Sequence, residues 1–449
     1  MKSNIGFLSL LFISLLVLAQ NLTAQYTVPS KMGWWYEARF GMFVHFGSYS
    51  YLGHGEWAFF SENWSKAKYQ TRVSAKFNPT GFNAGAMVRL AKTAGMKYLV
   101  ITAKHHEGFC MWQTAVESFK DAAGTKLYDL PGFTAFKTRD ILRELKDSCE
   151  AQGIKFCLYY SILDWNHPSQ RVNRSSYYSD MASSYERYAY INDMKTQLSE
   201  LITKYHPAVL WFDGDWTKNS GAATLSSWWT KFDGIDLYNY LIGLDSNLII
   251  NERICRSFGI GDFECPEQQV PDAPLSRPWE TCQTMNDSWG YNAGDNAYKT
   301  PSTLIWELVK VISRDGNYLL NIGPKGDGTV TDQTISIING LGNWMSVYGE
   351  SIYGTYRSPY TTEPKWGFYT RKPGKLYAHV FSWPVSGLLK IPSLTNTINK
   401  IYLLNDTTAL LNYTDSIGYI WISVPVIAPN SINSVVAIDV SGVPTASDQ

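Results

Sequence analysis

The stretch "VLWFDGDW", residues 209–216, is a run of apolar residues that ends at two acids separated by a glycine. A short run without polar alternation is typical of a strand that is buried on both faces. Asp and Gly also end strands for reasons of turn geometry alone, so this ending has a purely structural interpretation as well. The stretch therefore predicts a buried strand that carries Asp213 and Asp215 at its carboxyl end.

Similar apolar runs recur between about residues 35 and 345, and they alternate with segments of helical periodicity. The other runs are "FGMFVHFG" (40–47), "YLVITAKHH" (98–106), "KFCLYYS" (155–161), "NLIINER" (247–253) and "YLLNIGP" (318–324), and the helical segments span 83–95, 138–153 and 183–205. This alternation is the pattern of repeated βα units. With six strands rather than eight, the pattern predicts a (β/α)8-like barrel, irregular in places, with an open doubly wound sheet as the alternative.

Polar side chains gather where these predicted strands end, and this favours the barrel. They are His45, His105, His106, Tyr159, Asp164, Asp213, Glu252 and Arg253. In a barrel of parallel strands the carboxyl ends converge on one mouth, which is where such enzymes place their chemistry.

The two ends of the chain differ from this central part. After about residue 360, turn signals such as "KPGK" and "NDTT" separate runs rich in Val, Ile, Tyr and Thr, which predicts a small antiparallel β-sandwich. We therefore expect a barrel domain over 25–355 and a sandwich domain over 356–449. At the other end, Lys2 and an apolar stretch up to Ala19 predict a signal peptide over 1–24 and export to the periplasm or the cell exterior.

Composition excludes several classes of partner. Because 39 basic and 39 acidic residues cancel, the chain lacks the positive surface that binding to nucleic acid requires, and no run is long enough to predict membrane insertion. Aromatic residues make up 15% of the chain, which suits the stacking of sugar rings but also cores and interfaces. The six cysteines contain no CxxC pair, and their pairing cannot be deduced from the sequence.

Ten motifs together resemble glycoside hydrolase family 29, the retaining α-L-fucosidases, over nearly the whole mature chain. They are "WWYEARFGMFVHFG" (34–47), "GEWAF" (55–59), "AKHHEGFCMW" (103–112), "LYYSILDW" (158–165), "VLWFDGDW" (209–216), "NER" (251–253), "GDFECPEQ" (261–268), "RPWETCQTMNDSWGYN" (277–292), "LLNIGPKGDG" (319–328) and "YGESIYGT" (348–355). One such motif would be weak, whereas ten in the family's order are specific. The resemblance implies a hydrolase that needs no cofactor and acts on fucosylated oligosaccharides or glycoconjugates.

The resemblance also implies the two carboxyl groups that retaining cleavage needs. Asp213 matches the family's nucleophile, although strand alternation places Asp215 on the same face and does not separate the two. Glu267 aligns best with the general acid/base. Glu264 and Glu280 remain alternatives, and Glu280 also has a purely structural interpretation, as a carboxylate bonded to backbone amides.

The remaining matched positions are expected to hold the sugar. The resemblance assigns this role to His45, Glu56, Trp57, His105, His106, Tyr159, Trp211 and Arg253, with Tyr159 preferred over Tyr160, and Trp289 is the candidate wall for the methyl group of fucose. The HHE sequence at 105–107 is not the HExxH spacing of helical zinc sites. Adjacent strand residues also point to opposite faces, so the two histidines could not easily ligate one ion, and we expect no metal site there. If His106 faces outward, it would act through hydrogen bonds to residues of the pocket.

The sequence thus predicts an exo-acting α-L-fucosidase that works by double displacement. Two other classes remain open: a fucose-type glycan-binding protein that has lost catalysis, and a related retaining exo-glycosidase or transglycosylase acting on a similar sugar.

Overall fold

The computed structural model describes residues 28–172, 179–181, 183–216 and 228–447, so the predicted signal peptide lies outside the described residues. The helices are α1 (Gly33–Ala38), α2 (Tyr49–Leu52), α3 (Ala58–Ser61), α4 (Lys66–Arg72), α5 (Ala84–Thr93), α6 (Leu130–Phe133), α7 (Ile141–Gln152), α8 (Ser184–Tyr205), α9 (Lys231–Leu244), α10 (Pro301–Ser313) and α11 (Asp332–Tyr348). Within these ranges, we find no helix with the length and apolarity of a membrane span.

The strands fall into two groups. The first comprises β1 (Phe40–Val44), β2 (Tyr98–Lys104), β3 (Lys155–Ser161), β4 (Gln170–Val172), β5 (Ser179–Met181), β6 (Val209–Asp213), β7 (Ile249–Ile250), β8 (Glu280–Thr284) and β9 (Asn317–Ile322). The second comprises β10 (Gly367–Lys372), β11 (Lys375–Val380), β12 (Leu388–Pro392), β13 (Ile398–Leu403), β14 (Asp406–Leu410), β15 (Tyr413–Ser416), β16 (Tyr419–Ser423) and β17 (Ser434–Val440).

Seven parallel strands form the curled central sheet, in the order β7-β6-β3-β2-β1-β9-β8. The six predicted strands are all present, and the barrel-like architecture is confirmed. The sequence missed β8, because "ETCQT" has no apolar run although all five of its residues are buried. This strand begins at Glu280, one of the candidate carboxylates.

An irregular segment, residues 262–268, fills the gap between β7 and β8. Its bridges to the two edge strands are parallel: Asn251 with Phe263, Glu264 with Trp279, and Glu267 with Cys282. The backbone N–H of Glu252 donates to the carbonyl of Phe263 at 2.8 Å, and that of Gln268 donates to the carbonyl of Cys282 at 3.0 Å. We call residues 262–268 the closing segment, because it takes the place of an eighth strand.

Three of the helices that cover this sheet begin close to the predicted positions, because each has a capping side chain. Asn83, Asp140 and Ser183 accept the N–H of the third residue beyond them at the start of α5, α7 and α8. Such a cap satisfies one of the backbone donors that a helix start leaves unpaired.

Side chains of the sheet alternate between two apolar layers. Met42 and Val44 face outward and join the core beneath the helices, whereas Phe43 faces inward with Tyr159 and Trp211. This alternation follows from the two-residue period of a strand. Every second side chain of a strand is thereby directed into the barrel, where the carboxyl ends form a pocket.

The C-terminal part forms the predicted antiparallel sandwich. A five-stranded sheet in the order β10-β11-β17-β13-β14 faces a three-stranded sheet in the order β12-β16-β15, and the "KPGK" sequence forms the turn between β10 and β11. Apolar side chains of both sheets form one cluster between them. The sandwich contacts the barrel through α11, where the Trp344 Nε1–H donates to the carbonyl of Asn433 at 3.1 Å.

The six cysteines are all buried, and all are free thiols. The stability of the fold therefore rests on packing and polar contacts rather than on disulfides.

Candidate active site

A pocket of about 430 Å³, including its open mouth, lies at the carboxyl ends of the barrel strands. Every predicted site residue lines it, together with Phe43, Trp216 and Cys282: His45, Glu56, Trp57, His105, His106, Tyr159, Trp211, Asp213, Arg253, Glu267 and Trp289. Of the strand-end residues expected to converge, six line the pocket, whereas Asp164 and Glu252 do not. The Asp164 carboxylate pairs with Lys104 at 2.9 Å, and that of Glu252 accepts the backbone N–H of Cys265 at 2.9 Å.

Asp213 is the last residue of β6, and the chain turns sharply after it. Gly214 has a φ of +75°, and a Cβ at this position would lie 2.7 Å from the Leu163 Cβ. Only glycine adopts this conformation readily and leaves that space free. The turn ends the strand at the pocket and directs the Asp213 carboxylate into it.

The same turn separates the two acids that strand alternation could not. Asp215 does not line the pocket, since its carboxylate accepts the Arg256 Nε–H and the Arg256 backbone N–H, both at 2.8 Å. The expectation that Asp213 and Asp215 share a face was wrong, because it assumed that the extended strand continued past Gly214. Asp215 instead holds Arg256 beside Asp213, with Arg256 Nη2 3.2 Å from Asp213 Oδ1.

Two arginines determine the charge of Asp213. Burial raises the pKa of this carboxyl, but the positive charges of Arg253 and Arg256, together with His106 and the backbone N–H of Gly214, outweigh burial and lower the pKa to about 2. Arg253 Nη1 lies 3.2 Å from Asp213 Oδ1, and the Tyr159 hydroxyl donates to Oδ2 at 3.3 Å. Asp213 is therefore an ionised carboxylate at neutral pH.

Glu267 lies on the closing segment, across the same guanidinium from Asp213. Arg253 Nη2 lies 2.8 Å from Glu267 Oε2, and 43% of the Glu267 side chain is exposed at the mouth. Glu264, one of the two alternatives, does not line the pocket, and its charged neighbour is Arg277 at 3.9 Å. One arginine thus stands between a largely buried carboxylate and a carboxylate in contact with solvent.

Glu280, the other alternative, lies beneath the pocket rather than in it. Its carboxylate accepts the Nε1–H of Trp211 at 3.1 Å, and Trp211 lines the pocket whereas Glu280 does not. Its partners are side chains of Trp35, Tyr98 and Trp211 rather than the backbone amides that the structural interpretation proposed.

Both histidines of the HHE sequence line the pocket, although strand alternation would have placed their side chains on opposite faces. β2 ends at Lys104, and residues 105–108 form a turn that includes Gly108 at a φ of +81°. Strand alternation does not apply within a turn, so the rings of His105 and His106 lie side by side with centroids 4.1 Å apart. His106 Nδ1 lies 2.6 Å from the Ser161 hydroxyl.

The three pocket histidines are neutral at neutral pH. Burial lowers the pKa of His45 and of His106 to about 4, and it lowers that of His105 well below the usual range. A neutral imidazole has one donor and one acceptor nitrogen, which suits hydrogen bonds to hydroxyl groups. His45 Nδ1 lies 2.7 Å from Asn321 Oδ1, so the partner of this nitrogen is fixed.

Aromatic rings form the walls. Trp57 stacks on Trp216 with ring centroids 5.9 Å apart, and Trp289 lies 5.2 Å from the His45 ring. Below Trp289, Glu56 accepts the backbone N–H of Gly290 at 2.7 Å. Apolar rings beside buried acceptors and imidazoles suit a sugar, which has C–H faces and hydroxyl edges.

Sequence reasoning missed four residues of the site. Phe43 had a usable signal, since it stands two positions before His45 and so shares its face of the strand. Trp216 was noted in the sequence but given no role. Arg256 and Cys282 had no usable signal, because their positions depend on the turn after β7 and on the unrecognised strand β8.

Comparison with known proteins identifies the family. The family model described as α-L-fucosidase matches residues 20–350, and the model of the α-L-fucosidase C-terminal domain matches residues 360–438. The human plasma α-L-fucosidase is 32% identical over 386 residues, which cover 79% of this chain and 77% of that protein.

Solved structures agree with this result. α-L-Fucosidase isoenzyme 1 from Paenibacillus thiaminolyticus is 31% identical, with a TM-score of 0.80 over 92% of this chain and 99% of that one. A family 29 enzyme from Bacteroides thetaiotaomicron, solved as a trapped covalent intermediate with 2-fluoro-fucosyl fluoride in a Glu-to-Gln mutant, is 27% identical. It covers 92% of this chain and 96% of its own, also with a TM-score of 0.80. This chain therefore belongs to the α-L-fucosidase family and is a glycoside hydrolase.

Proposed function

We propose that this enzyme removes terminal α-L-fucose from fucosylated glycans by a retaining double displacement. The observation that carries the proposal is the pair of carboxylates, Asp213 and Glu267, on either side of the Arg253 guanidinium. Retaining glycosidases need two carboxyl groups about 5 to 5.5 Å apart, one as nucleophile and one as acid/base. A compact pocket rather than a long groove suits a single terminal sugar, and the covalent intermediate trapped in the Bacteroides relative supports a two-step mechanism.

In the first step, an Asp213 oxygen attacks the anomeric carbon while Glu267 donates its proton to the departing glycosidic oxygen. Asp213 suits attack because it is ionised and nearly immobile between Arg253, Arg256 and Tyr159. The role of Glu267 requires a proton on its carboxyl group and a departing oxygen within hydrogen-bond distance of that group. The products are a fucosyl ester of Asp213 and the free alcohol of the remaining glycan.

In the second step, Glu267 removes a proton from water as the water oxygen attacks the anomeric carbon of the ester. The bond to Asp213 breaks, Asp213 recovers its negative charge, and Glu267 regains its proton. Two inversions give net retention, so fucose is released as the α-anomer. The exposure of Glu267 at the mouth suits both the departing glycan and the incoming water.

The polar edges of the pocket are proposed to hold the three hydroxyl groups of fucose. Neutral His45, His105 and His106 supply donors and acceptors, and Glu56 supplies a buried acceptor. Trp289 is proposed to contact the methyl group, because its ring closes the apolar side of the pocket next to Phe43, at a centroid distance of 6.0 Å.

The stereochemistry of release tests this proposal. Purified enzyme is incubated with an aryl α-L-fucoside and with fucosylated oligosaccharides of different linkage, and proton NMR follows the first fucose released. We expect the α-anomer to appear before mutarotation mixes the anomers. First release of the β-anomer would contradict double displacement, and the absence of any fucose would contradict the activity.

Removal of the Arg253 charge is expected to move the acid limb of the pH profile. Arg253 is one cause of the low pKa of Asp213, so Arg253→Gln should raise that pKa. The activity of Asp213 requires its ionised form, and the acid limb of kcat/KM should therefore move to higher pH, by about 1 to 3 pH units. Arg277→Gln, a matched change outside the pocket, should leave the limb in place, and an unmoved limb in Arg253→Gln would contradict this electrostatic role.

We further propose export through the signal peptide predicted over residues 1–24, with the glycan substrate met in the periplasm or outside the cell. The supporting feature is the basic residue and apolar stretch at the start of the chain. Cell fractionation and N-terminal sequencing of the mature protein would test it, and an uncleaved cytoplasmic product would contradict it.

A further inference from the structure

Glu280 is a carboxylate enclosed in the interior of the barrel, and three side chains donate hydrogen bonds to it. The Trp35 Nε1–H donates to Oε2 at 3.3 Å, the Tyr98 hydroxyl donates to the same oxygen, and the Trp211 Nε1–H donates to Oε1 at 3.1 Å. Glu280 is 1% exposed. Burial raises its pKa to about 7, although the three hydrogen bonds favour the ionised form.

The barrel makes room for this arrangement at a cost in packing. A Cβ at Gly41 would lie 2.3 Å from the Tyr98 ring, so this glycine on β1 lets the tyrosine reach across to Glu280. A buried carboxylate is itself costly, and apolar replacements of buried charges are often neutral or stabilising. Stability alone therefore gives no reason for a glutamate at this position.

The hydrogen bond to Trp211 connects Glu280 with the pocket. Trp211 lines the pocket, and its ring stacks on Tyr159 with an interplanar angle of 19°. The Arg253 guanidinium carbon lies 4.7 Å from the centroid of the Trp211 ring. An arginine in this position is attracted to the ring face.

Arg253 in turn contacts both carboxylates of the proposed mechanism, at 3.2 Å from Asp213 and 2.8 Å from Glu267. A continuous series of contacts therefore runs from Glu280 through Trp211 to Arg253. Rotation or tilt of the indole would move the surface on which the guanidinium rests. Since Trp has one N–H donor, the bond to Glu280 is the polar contact that fixes the orientation of the ring in its plane.

We propose that Glu280 is a positioning residue: by holding the Trp211 indole, it fixes Arg253 between the two reacting carboxylates. Glu280 takes part in no proton transfer itself, because it does not line the pocket and reaches it only through its hydrogen bond with Trp211. The inference deepens the proposed function and rests on it.

A double-mutant cycle tests this link on the full-length enzyme with an aryl α-L-fucoside. Glu280→Gln replaces one acceptor oxygen by a donor, and we expect kcat/KM to fall by about 10- to 100-fold. Trp211→Phe removes the indole N–H, so residue 211 can no longer donate a hydrogen bond to Glu280. In that background, Glu280→Gln should lower kcat/KM by no more than about threefold, because coupled residues are non-additive.

The control is Glu307→Gln. Glu307 is a partly buried carboxylate that also accepts a tyrosine hydroxyl, that of Tyr318 at 2.7 Å, but it lies outside the pocket. This variant should lower the melting temperature measurably, with kcat/KM within about twofold of the wild-type value.

If Glu280→Gln does not fold, Tyr98→Phe replaces it in the same cycle. We expect Tyr98→Phe to lower kcat/KM by less than about tenfold in the wild-type background and not at all in the Trp211→Phe background.

The outcomes are distinct. Equal losses from Glu280→Gln in both backgrounds would overturn the inference, since they would show that Glu280 acts independently of Trp211. If the wild-type enzyme is active and the kcat/KM of Glu280→Gln is within about twofold of the wild-type value, this inference is overturned but the proposed function is not. A wild-type enzyme that does not hydrolyse the fucoside would overturn the proposed function and this inference with it.

Discussion

Replacement of Asp213 by glycine is expected to lower kcat for an aryl α-L-fucoside by about 10⁴-fold or more, the usual scale for loss of a covalent nucleophile. Without the carboxylate no fucosyl ester forms, although the pocket still binds the sugar. Azide in high concentration fits the space that the side chain leaves and attacks the anomeric carbon from the same side. We therefore expect azide to restore turnover and to give β-L-fucosyl azide, the inverted product.

Asp215→Gly is the matched control, because it makes the same change two residues away. Asp215 holds Arg256 and does not line the pocket. This variant should lose far less activity than Asp213→Gly, and azide should not accelerate it. If azide rescued Asp215→Gly instead, the assignment of the nucleophile to Asp213 would be wrong. Initial rates with and without azide, with NMR of the azide product, decide between the two.

Replacement of Glu267 by alanine is expected to have an effect that depends on the leaving group. Removal of a general acid costs about 10² to 10⁴-fold when the departing oxygen needs a proton, as in a natural glycan. An aryl fucoside with an acidic phenol needs little protonation, so the first step should slow less and the fucosyl ester should accumulate. A fast initial release of phenol before a slow steady state is the expected result.

Azide distinguishes this role from that of Asp213 by the configuration of the product. In Glu267→Ala, azide attacks the fucosyl ester in place of water, and the product should be α-L-fucosyl azide. Glu264→Ala serves as the control, since this carboxylate lies three residues earlier on the closing segment and outside the pocket. If Glu264→Ala or Glu280→Ala gave the α-azide and Glu267→Ala did not, the acid/base would have to be reassigned.

Much of the fold could be predicted because six of the seven barrel strands are apolar runs. The seventh strand, β8, was missed because it is polar, and its polar side chains are buried with hydrogen-bond partners elsewhere in the barrel. Its Thr281 hydroxyl donates to the carbonyl of Gln269, and Glu280 is bonded within the barrel, so these side chains are satisfied by partners outside their own strand. Periodicity alone does not identify a strand of this kind.

The sequence allowed most residues of the candidate site to be named, but not the way in which they are arranged. The motifs that resemble the family named eleven pocket residues, and the structure brings all eleven together. Strand alternation failed at both places where the chain leaves a strand, after Lys104 and after Asp213, because a turn with a left-handed glycine redirects the next side chains. Arg256 was not identified because its place beside Asp213 depends on the turn after β7 and on its ion pair with Asp215.

The two carboxylates of the proposed mechanism lie on segments that are attached to the sheet to different extents. Asp213 ends a strand that pairs with β3 up to Asp213 itself and with β7 at Val209 and Leu210, so we expect a change in loop length elsewhere to leave its position intact. Glu267 belongs to the closing segment, which a few isolated bridges attach to its neighbours. Insertions beside that segment can re-aim the proton donor without disturbing the nucleophile. We therefore expect related enzymes to differ in their selectivity for the departing glycan through changes at the closing segment, while the proposed binding of fucose in the pocket stays the same.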